Sequence, residues 1–183
     1  LSGSILNSKP DQKIILDIKS SNAAIKSIKS QNGEAIIWKT GHSLIKSKLT
    51  EIKAPLAGEM SGHIFFNDKW FGFDDATYAA LRILEEINSR KNGLQGFLKN
   101  VPKSFTSPEI RVECEEKDKF NFVENVKKLA FNIYEPPQLL LIDGIRVKNK
   151  RGWWLLRASN TQAALIVRAE GSSIKNLNEL LNE

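Results

Sequence analysis

The chain has 183 residues, 41% of them hydrophobic, which is enough for one large or two small units with real cores and excludes disorder as the overall state. Its formal charge of +6 comes from 27 basic and 21 acidic residues scattered among one another, and no aromatic residues interleave with a basic stripe, so a nucleic-acid partner is not expected. The single cysteine, Cys114, excludes an internal disulfide and no apolar run approaches the roughly 20 residues of a membrane span, so a soluble, cytoplasmic protein without a membrane partner is expected.

In chain order, KIILDI (13–18) reads as a strand and SNAAIKSIKSQNG as a helix that starts on Ser/Asn and stops at glycine. AIIW (35–38) is a second strand, and after the loop KTGHS the spacing of Leu44, Ile45, Leu49 and Ile52 predicts a helix. This βαβα alternation implies a parallel sheet with crossover helices. APLAGEM supplies a third short strand that runs into Gly58-Glu59-Met60-Ser61-Gly62-His63, and HIFF continues after the turn. DDATYAALRILEEINSRK (74–91) is the clearest helix, with Tyr78, Leu81, Leu84 and Ile87 on one apolar stripe.

The prolines, glycines and small polar residues of NGLQGFLKNVPKSFTSPE place a boundary near 100–105, dividing the chain into 1–102 and 103–183. Beyond it, EIRVEC alternates as a strand and KFNFVENVKKLAF is helical. QLLLIDG, IRVKN, GWWLLRAS and AALIVRAE follow as closely spaced strands, with Asp143-Gly144 as a hairpin signal, and SSIKNLNELLNE closes the chain as a capped helix. The fold class is therefore an α/β domain with a mixed, mainly parallel sheet, followed by a small α+β domain with an antiparallel sheet and helices on one face.

Two clusters carry possible chemistry. GEMSGH, at a strand end, is either a site or a turn: its glutamate can accept from two neighbouring hydroxyls while Ser61 and His63 supply donors, as a sugar ring requires, or the same residues are merely solvated. Lys19 and His42, the latter in another Thr-Gly-His strand end, share that edge of the sheet and can converge with Glu59, Ser61 and His63. Either histidine can move protons. Two histidines 21 residues apart and a distant cysteine make no zinc site, and no metal ligands are expected. Arg157-Ala158-Ser159-Asn160-Thr161, between two strands, combines an arginine fork, hydroxyls and turn amides into a cradle for a phosphate, or is an ordinary hairpin beside one arginine. Arg168 on the next strand either adds a second positive charge or faces solvent.

GEMSGH, WKTGHS, WFGFDD, DGIRV and RASNT, in this order and spacing, resemble the C-terminal half of bacterial phosphomannomutase/phosphoglucomutase enzymes of the α-D-phosphohexomutase family, and the resemblance covers essentially the whole chain. It implies domains three and four of a four-domain enzyme, the fourth with a TATA-binding-protein-like fold. It further implies hexose phosphate as substrate, a phosphoserine donor in domain one, a hexose 1,6-bisphosphate intermediate, and magnesium held by domain two. By position it makes Glu59 and Ser61, with His63 on the same loop, the sugar-hydroxyl contacts, and Arg157, Ser159, Asn160 and Thr161 the phosphate cradle. Lys19 and His42 correspond to active-site residues with less defined roles. The loop methionine is similar to that of enzymes acting on mannose and glucose phosphates, whereas phosphoglucosamine mutases usually have glutamine there. Gln162-Ala163 stands where the family commonly has Thr-Pro, which puts the geometry of that turn in question. Neither a phosphoserine loop nor an Asp-x-Asp-x-Asp triplet occurs in the sequence, so both are expected upstream, on the N-terminal domains one and two as partners. A chain with neither is expected not to catalyse phosphoryl transfer. The proline-containing joint suits closure of two units that each hold part of one ligand. A non-catalytic sugar-phosphate binding module is the other reading.

Overall fold

The computed structural model describes residues 1–99 and 103–183. The chain forms two compact units, Leu1–Lys103 and Ser104–Glu183. The joint expected around Pro102 lies partly outside the described residues.

In the first unit, β1 (Lys13–Asp17) is the central strand, flanked in parallel by β2 (Glu34–Trp38) and β3 (Leu56–Gly58), while β4 (Ile64–Phe66) turns back antiparallel on β3. The strand order is β2-β1-β3-β4. Because β1 is covered on both faces, Ile14 and Ile15 are both buried, as parallel strands between helical layers require. On one face pack α1 (Ser2–Ser8), α2 (Asn22–Lys29) and α4 (Ala76–Asn88) through Ile5, Leu6, Ile28 and Ala79. On the other packs α3 (His42–Glu51) through Ile45 and Leu49. Helix starts follow the side-chain capping that the sequence offers: Ser21 accepts from the Ala23 amide and Asp75 from that of Tyr78. The short α1 carries no sequence signal beyond two apolar residues; α5 (Gly93–Leu98) lies in the segment read as a boundary.

The apolar stripe expected on α4 is corrected by the structure. Leu81 and Leu84 are each 60% exposed, and the buried face is carried instead by Ala79, Arg82 and Glu86. Arg82 stacks its guanidinium 4.4 Å from the Phe66 ring centroid and donates two hydrogen bonds, at 2.8 and 2.9 Å, to the Asp68 carboxylate. A planar cation can lie against an aromatic face as an aliphatic chain would, so the helix packs through a charge that a hydrophobicity pattern counts as solvent-facing.

The second unit is an antiparallel sheet in which β7 (Leu139–Leu140), β8 (Ile145–Lys148), β9 (Gly152–Ala158) and β10 (Ala164–Gly171) form a meander. The short β5 (Phe105–Thr106) and β6 (Ile110–Glu113) both pair with β10. Register puts Trp154, Leu156, Ala158, Leu165, Val167 and Ala169 on one face, against which α6 (Lys119–Phe131) and α7 (Ile174–Leu181) both pack. Helices thus cover one face, as expected. Trp153, Leu155, Arg157, Ile166 and Arg168 occupy the opposite face. Gly144 has φ +78, and a Cβ there would meet the Leu156 carbonyl oxygen at 2.3 Å, so the β7–β8 turn presses directly on the β9 backbone and admits only glycine.

Candidate functional site

The three parallel strands of the first unit end on the same side, and the loops that follow them, 18–20, 39–41 and 59–63, gather there, as sheets of this kind arrange their ligand edges. GEMSGH is the tip of the β3–β4 hairpin. The Glu59 amide donates to the His63 carbonyl (2.9 Å) and the Gly62 amide to the Glu59 carbonyl (3.0 Å), leaving a three-residue loop closed by Gly62 at φ +96. That is a tight turn followed by a left-handed residue, a standard three-residue hairpin connection, and it needs glycine at that point. The motif is therefore a turn by construction, with its polar side chains mounted on a rigid frame.

Glu59 is largely buried, and its Oε1 accepts from the Gly41 amide at 2.7 Å, at the N-terminus of α3. The carboxylate so satisfies a donor that the helix leaves open and sits at the positive end of its dipole. One carboxylate oxygen is thereby engaged by the protein itself. His42 is the first residue of α3. Ser61 is exposed at the hairpin tip, and Lys19 is buried just past β1. His63 is directed by Asp74: its Nδ1 lies 2.7 Å from Asp74 Oδ2, so Nδ1 carries the proton and Nε2 is the nitrogen that remains for a ligand.

The residue that ties this edge together is one the sequence reading passed over. Asp17, the last residue of β1, is fully buried. Its Oδ1 accepts from Ser20 Oγ (2.6 Å) and from the Met60 amide (3.2 Å), and its Oδ2 from Thr40 Oγ1 (3.4 Å). The available signal was an acid closing the otherwise apolar run KIIL, since a charge inside a buried strand is retained only when paired.

In the second unit Arg157 is 4% exposed and donates from Nε to Asp143 Oδ2 at 3.1 Å, while its Nη2 is buried without a hydrogen-bond partner among the described residues. A buried guanidinium N–H left open on an otherwise oriented side chain is the kind of group a ligand satisfies. Ser159 Oγ accepts from the amides of Gln162 (3.2 Å) and Thr161 (3.4 Å), which folds the loop over the hydroxyl and leaves its proton to donate outward. Asn160 and Thr161 are exposed at the turn. Arg157 pairs with Ile166 and Arg168 follows two residues later, so Arg168 lies on the Arg157 face of the sheet. Lys119, the first residue of α6 and 2% exposed, donates from Nζ to the carbonyls of Ser159 (2.8 Å) and Gln162 (3.1 Å) and pairs with Glu116. With Arg111 Nη1 donating to Gln162 Oε1 at 3.0 Å, this holds the turn that contains Gln162-Ala163.

Asp143, Asp74 and Lys119 each stood next to or inside a quoted motif and were missed because nothing in a linear pattern distinguishes an orienting partner from a solvated charge. The two clusters lie in different units. Among the described residues no three His, Cys, Asp or Glu side chains converge as a metal site requires. No described helix is long and apolar enough to cross a membrane.

Comparison with known proteins agrees with this fold. The family profile described as phosphoglucomutase/phosphomannomutase, alpha/beta/alpha domain III, matches residues 2–105, and that of the C-terminal domain of the same family matches residues 109–183. The phosphomannomutase/phosphoglucomutase of Pseudomonas putida is 38% identical over 169 residues, 92% of this chain and 36% of that protein. A crystal structure of a phosphoglucomutase/phosphomannomutase family protein from Burkholderia thailandensis superposes with a TM-score of 0.87 at 34% identity, covering 99% of this chain and 38% of the other. The N-acetylphosphoglucosamine mutase of Aspergillus fumigatus, solved in complex with GlcNAc-6P and magnesium, shares the fold at a TM-score of 0.62 and 14% identity, over 99% of this chain and 39% of its own. The chain thus spans well under half the length of each of these proteins. Matched along both of its units, it belongs to the phosphoglucomutase/phosphomannomutase family, of which it carries domain III and the C-terminal domain.

Proposed function

We propose that this chain is the substrate-recognition part of a phosphohexomutase that interconverts hexose 1-phosphate and hexose 6-phosphate, with mannose and glucose as the sugars. The first unit, Leu1–Lys103, grips the sugar through Glu59, Ser61 and His63, with Lys19 and His42 on the same edge. The second unit, Ser104–Glu183, grips the phosphate that is not reacting through Arg157, Ser159, Asn160, Thr161 and Arg168. The observation that carries the reading is the rigid hairpin at 59–63: it presents a partly committed carboxylate, a hydroxyl and an oriented imidazole at one sheet edge. A sugar ring offers donors and acceptors around its rim, and fixed groups of both kinds select it by leaving a mismatched ligand's polar atoms unpaired.

A phosphoserine and magnesium would come from the family's first two domains, and magnesium would supply charge stabilisation for the transferred phosphoryl group. The described residues of this chain do not fit a magnesium site, so none of its steps runs through the ion. What these residues do is bind, orient and hold the ligand's far end while the reacting phosphate lies elsewhere. Met60 in place of glutamine favours mannose and glucose phosphates over glucosamine phosphate.

Two measurements test the reading. The chain alone should show no turnover of mannose 1-phosphate to mannose 6-phosphate; robust activity overturns its assignment as a recognition part. Titration with glucose 1-phosphate should shift the amide resonances of 59–63 and 157–162, weakly, as half a cleft binds. Affinity as tight as a complete pocket gives would instead favour a dedicated binding module.

A further inference from the structure

We propose that Asp17 is the positioning residue of the sugar-recognition edge: one buried carboxylate at the end of the central strand sets the relative placement of all three loops that meet the sugar. The proposal rests on the recognition reading above only for what the loops bind, not for how they are held.

The geometry has three parts. Asp17 sits where β1 ends, between β2 and β3, so the loops leaving all three strands start within reach of its side chain. Its two oxygens accept one hydrogen bond from each loop: Ser20 Oγ on its own, Thr40 Oγ1 from the loop that leads to His42, and the Met60 amide from the GEMSGH turn. A second link, from the Gly41 amide to Glu59, closes a ring between the last two loops. An acceptor-only group suits this position because all three contacts come from donors. It is also fully buried, where charge-assisted hydrogen bonds are strongest and where a carboxylate persists only if its donors are in place. The Met60 contact is the informative one. It falls on a backbone N–H inside the loop, so it fixes the hairpin tip whatever side chain occupies position 60.

Asp17→Ala tests this by removing both acceptor oxygens, so that the Met60 amide loses its partner together with the Ser20 and Thr40 hydroxyls. In the 183-residue chain without ligand, amide hydrogen exchange at Met60 should quicken about tenfold, the equivalent of one hydrogen bond, while Ile14, Ile15 and Ile36 in the sheet keep their protection. Unchanged exchange at Met60 overturns the proposal. So does faster exchange along β1 and β2 as well, because that is the signature of a group that only stabilises the sheet. Glucose 1-phosphate titration then separates the two layers. If the unaltered chain shifts at 59–63 and the variant needs at least fivefold more ligand, Asp17 positions the sugar contacts. If the unaltered chain shows no shifts there, the sugar reading fails and the exchange result alone decides Asp17's role. Should Asp17→Ala fail to fold, Thr40→Val removes one donor and leaves the carboxylate in place. A threefold or greater rise in exchange at Gly41 supports the proposal, and no change there counts against it.

Discussion

Oriented side chains at both clusters depend on a second residue. Arg157 keeps one edge of its guanidinium on Asp143 and leaves Nη2 open, so its fork is aimed before any ligand arrives. Arg157→Lys retains the charge and loses the fork, and phosphate-ester binding at the second unit should weaken about tenfold or more in titration calorimetry. A change under twofold would show that the charge alone suffices. His63 depends on Asp74 in the same way. A solvated neutral histidine side chain prefers the proton on Nε2, and the Asp74 carboxylate at 2.7 Å reverses that preference. Asp74→Ala should therefore move His63 from the Nδ1–H to the Nε2–H tautomer, read from its ring ¹⁵N shifts. An unchanged tautomer would mean that another group orients the ring.

Elements in this protein are held to one another through buried ions as much as through apolar stripes. The β9–β10 turn lies under the Lys119 ammonium, whose two carbonyl contacts come from Ser159 and Gln162. Lys119→Met keeps the packing of the stem and removes both bonds, which should destabilise the second unit by about 2 kcal/mol in chemical denaturation. It should also broaden the resonances of 159–162 selectively; a uniform effect across the unit would place the role of Lys119 in the core instead. These ions mark the border of what was legible in the sequence. Strands, the parallel-then-antiparallel change, α6, α7 and the Asp143-Gly144 turn were visible because they obey short-range periodicities and turn chemistry. The stripe on α4 was misassigned because Arg82 packs on Phe66 and pairs with Asp68, and periodicity scores an arginine as polar wherever it lies. At the candidate site the motif residues were visible, while Asp17, 43 residues from its Met60 contact, was not: only the fold brings those two together.

Each unit has its own core, Ile5 through Ala79 in the first and Val123 through Leu165 in the second, and their stabilities should be separable. The Arg82–Asp68 pair belongs to the first alone, with both side chains 10% exposed. Arg82→Met removes the charged partner of the partly buried Asp68 carboxylate and should cost about 2 kcal/mol, with faster amide exchange through the first unit and none in the second. The effect has a defined pH course. Burial by itself raises the Asp68 carboxyl, and the Arg82 hydrogen bonds and charge outweigh it to hold the group below its ordinary 3.8. A depressed carboxylate contributes stability above the unfolded value and loses it as pH falls through the folded one. The gap between native chain and variant should be full at neutral pH and close below about pH 4; a gap that persists in acid would assign the effect to packing over Phe66. Separate cores also bear on inheritance. Asp17 ties the strand-end loops of the first unit and Lys119 the β9–β10 turn of the second, and neither support is borrowed from the other unit. On the proposed reading, exchanging one unit between relatives would leave the loop supports of the other intact, so sugar preference and phosphate grip would be separable as two cassettes.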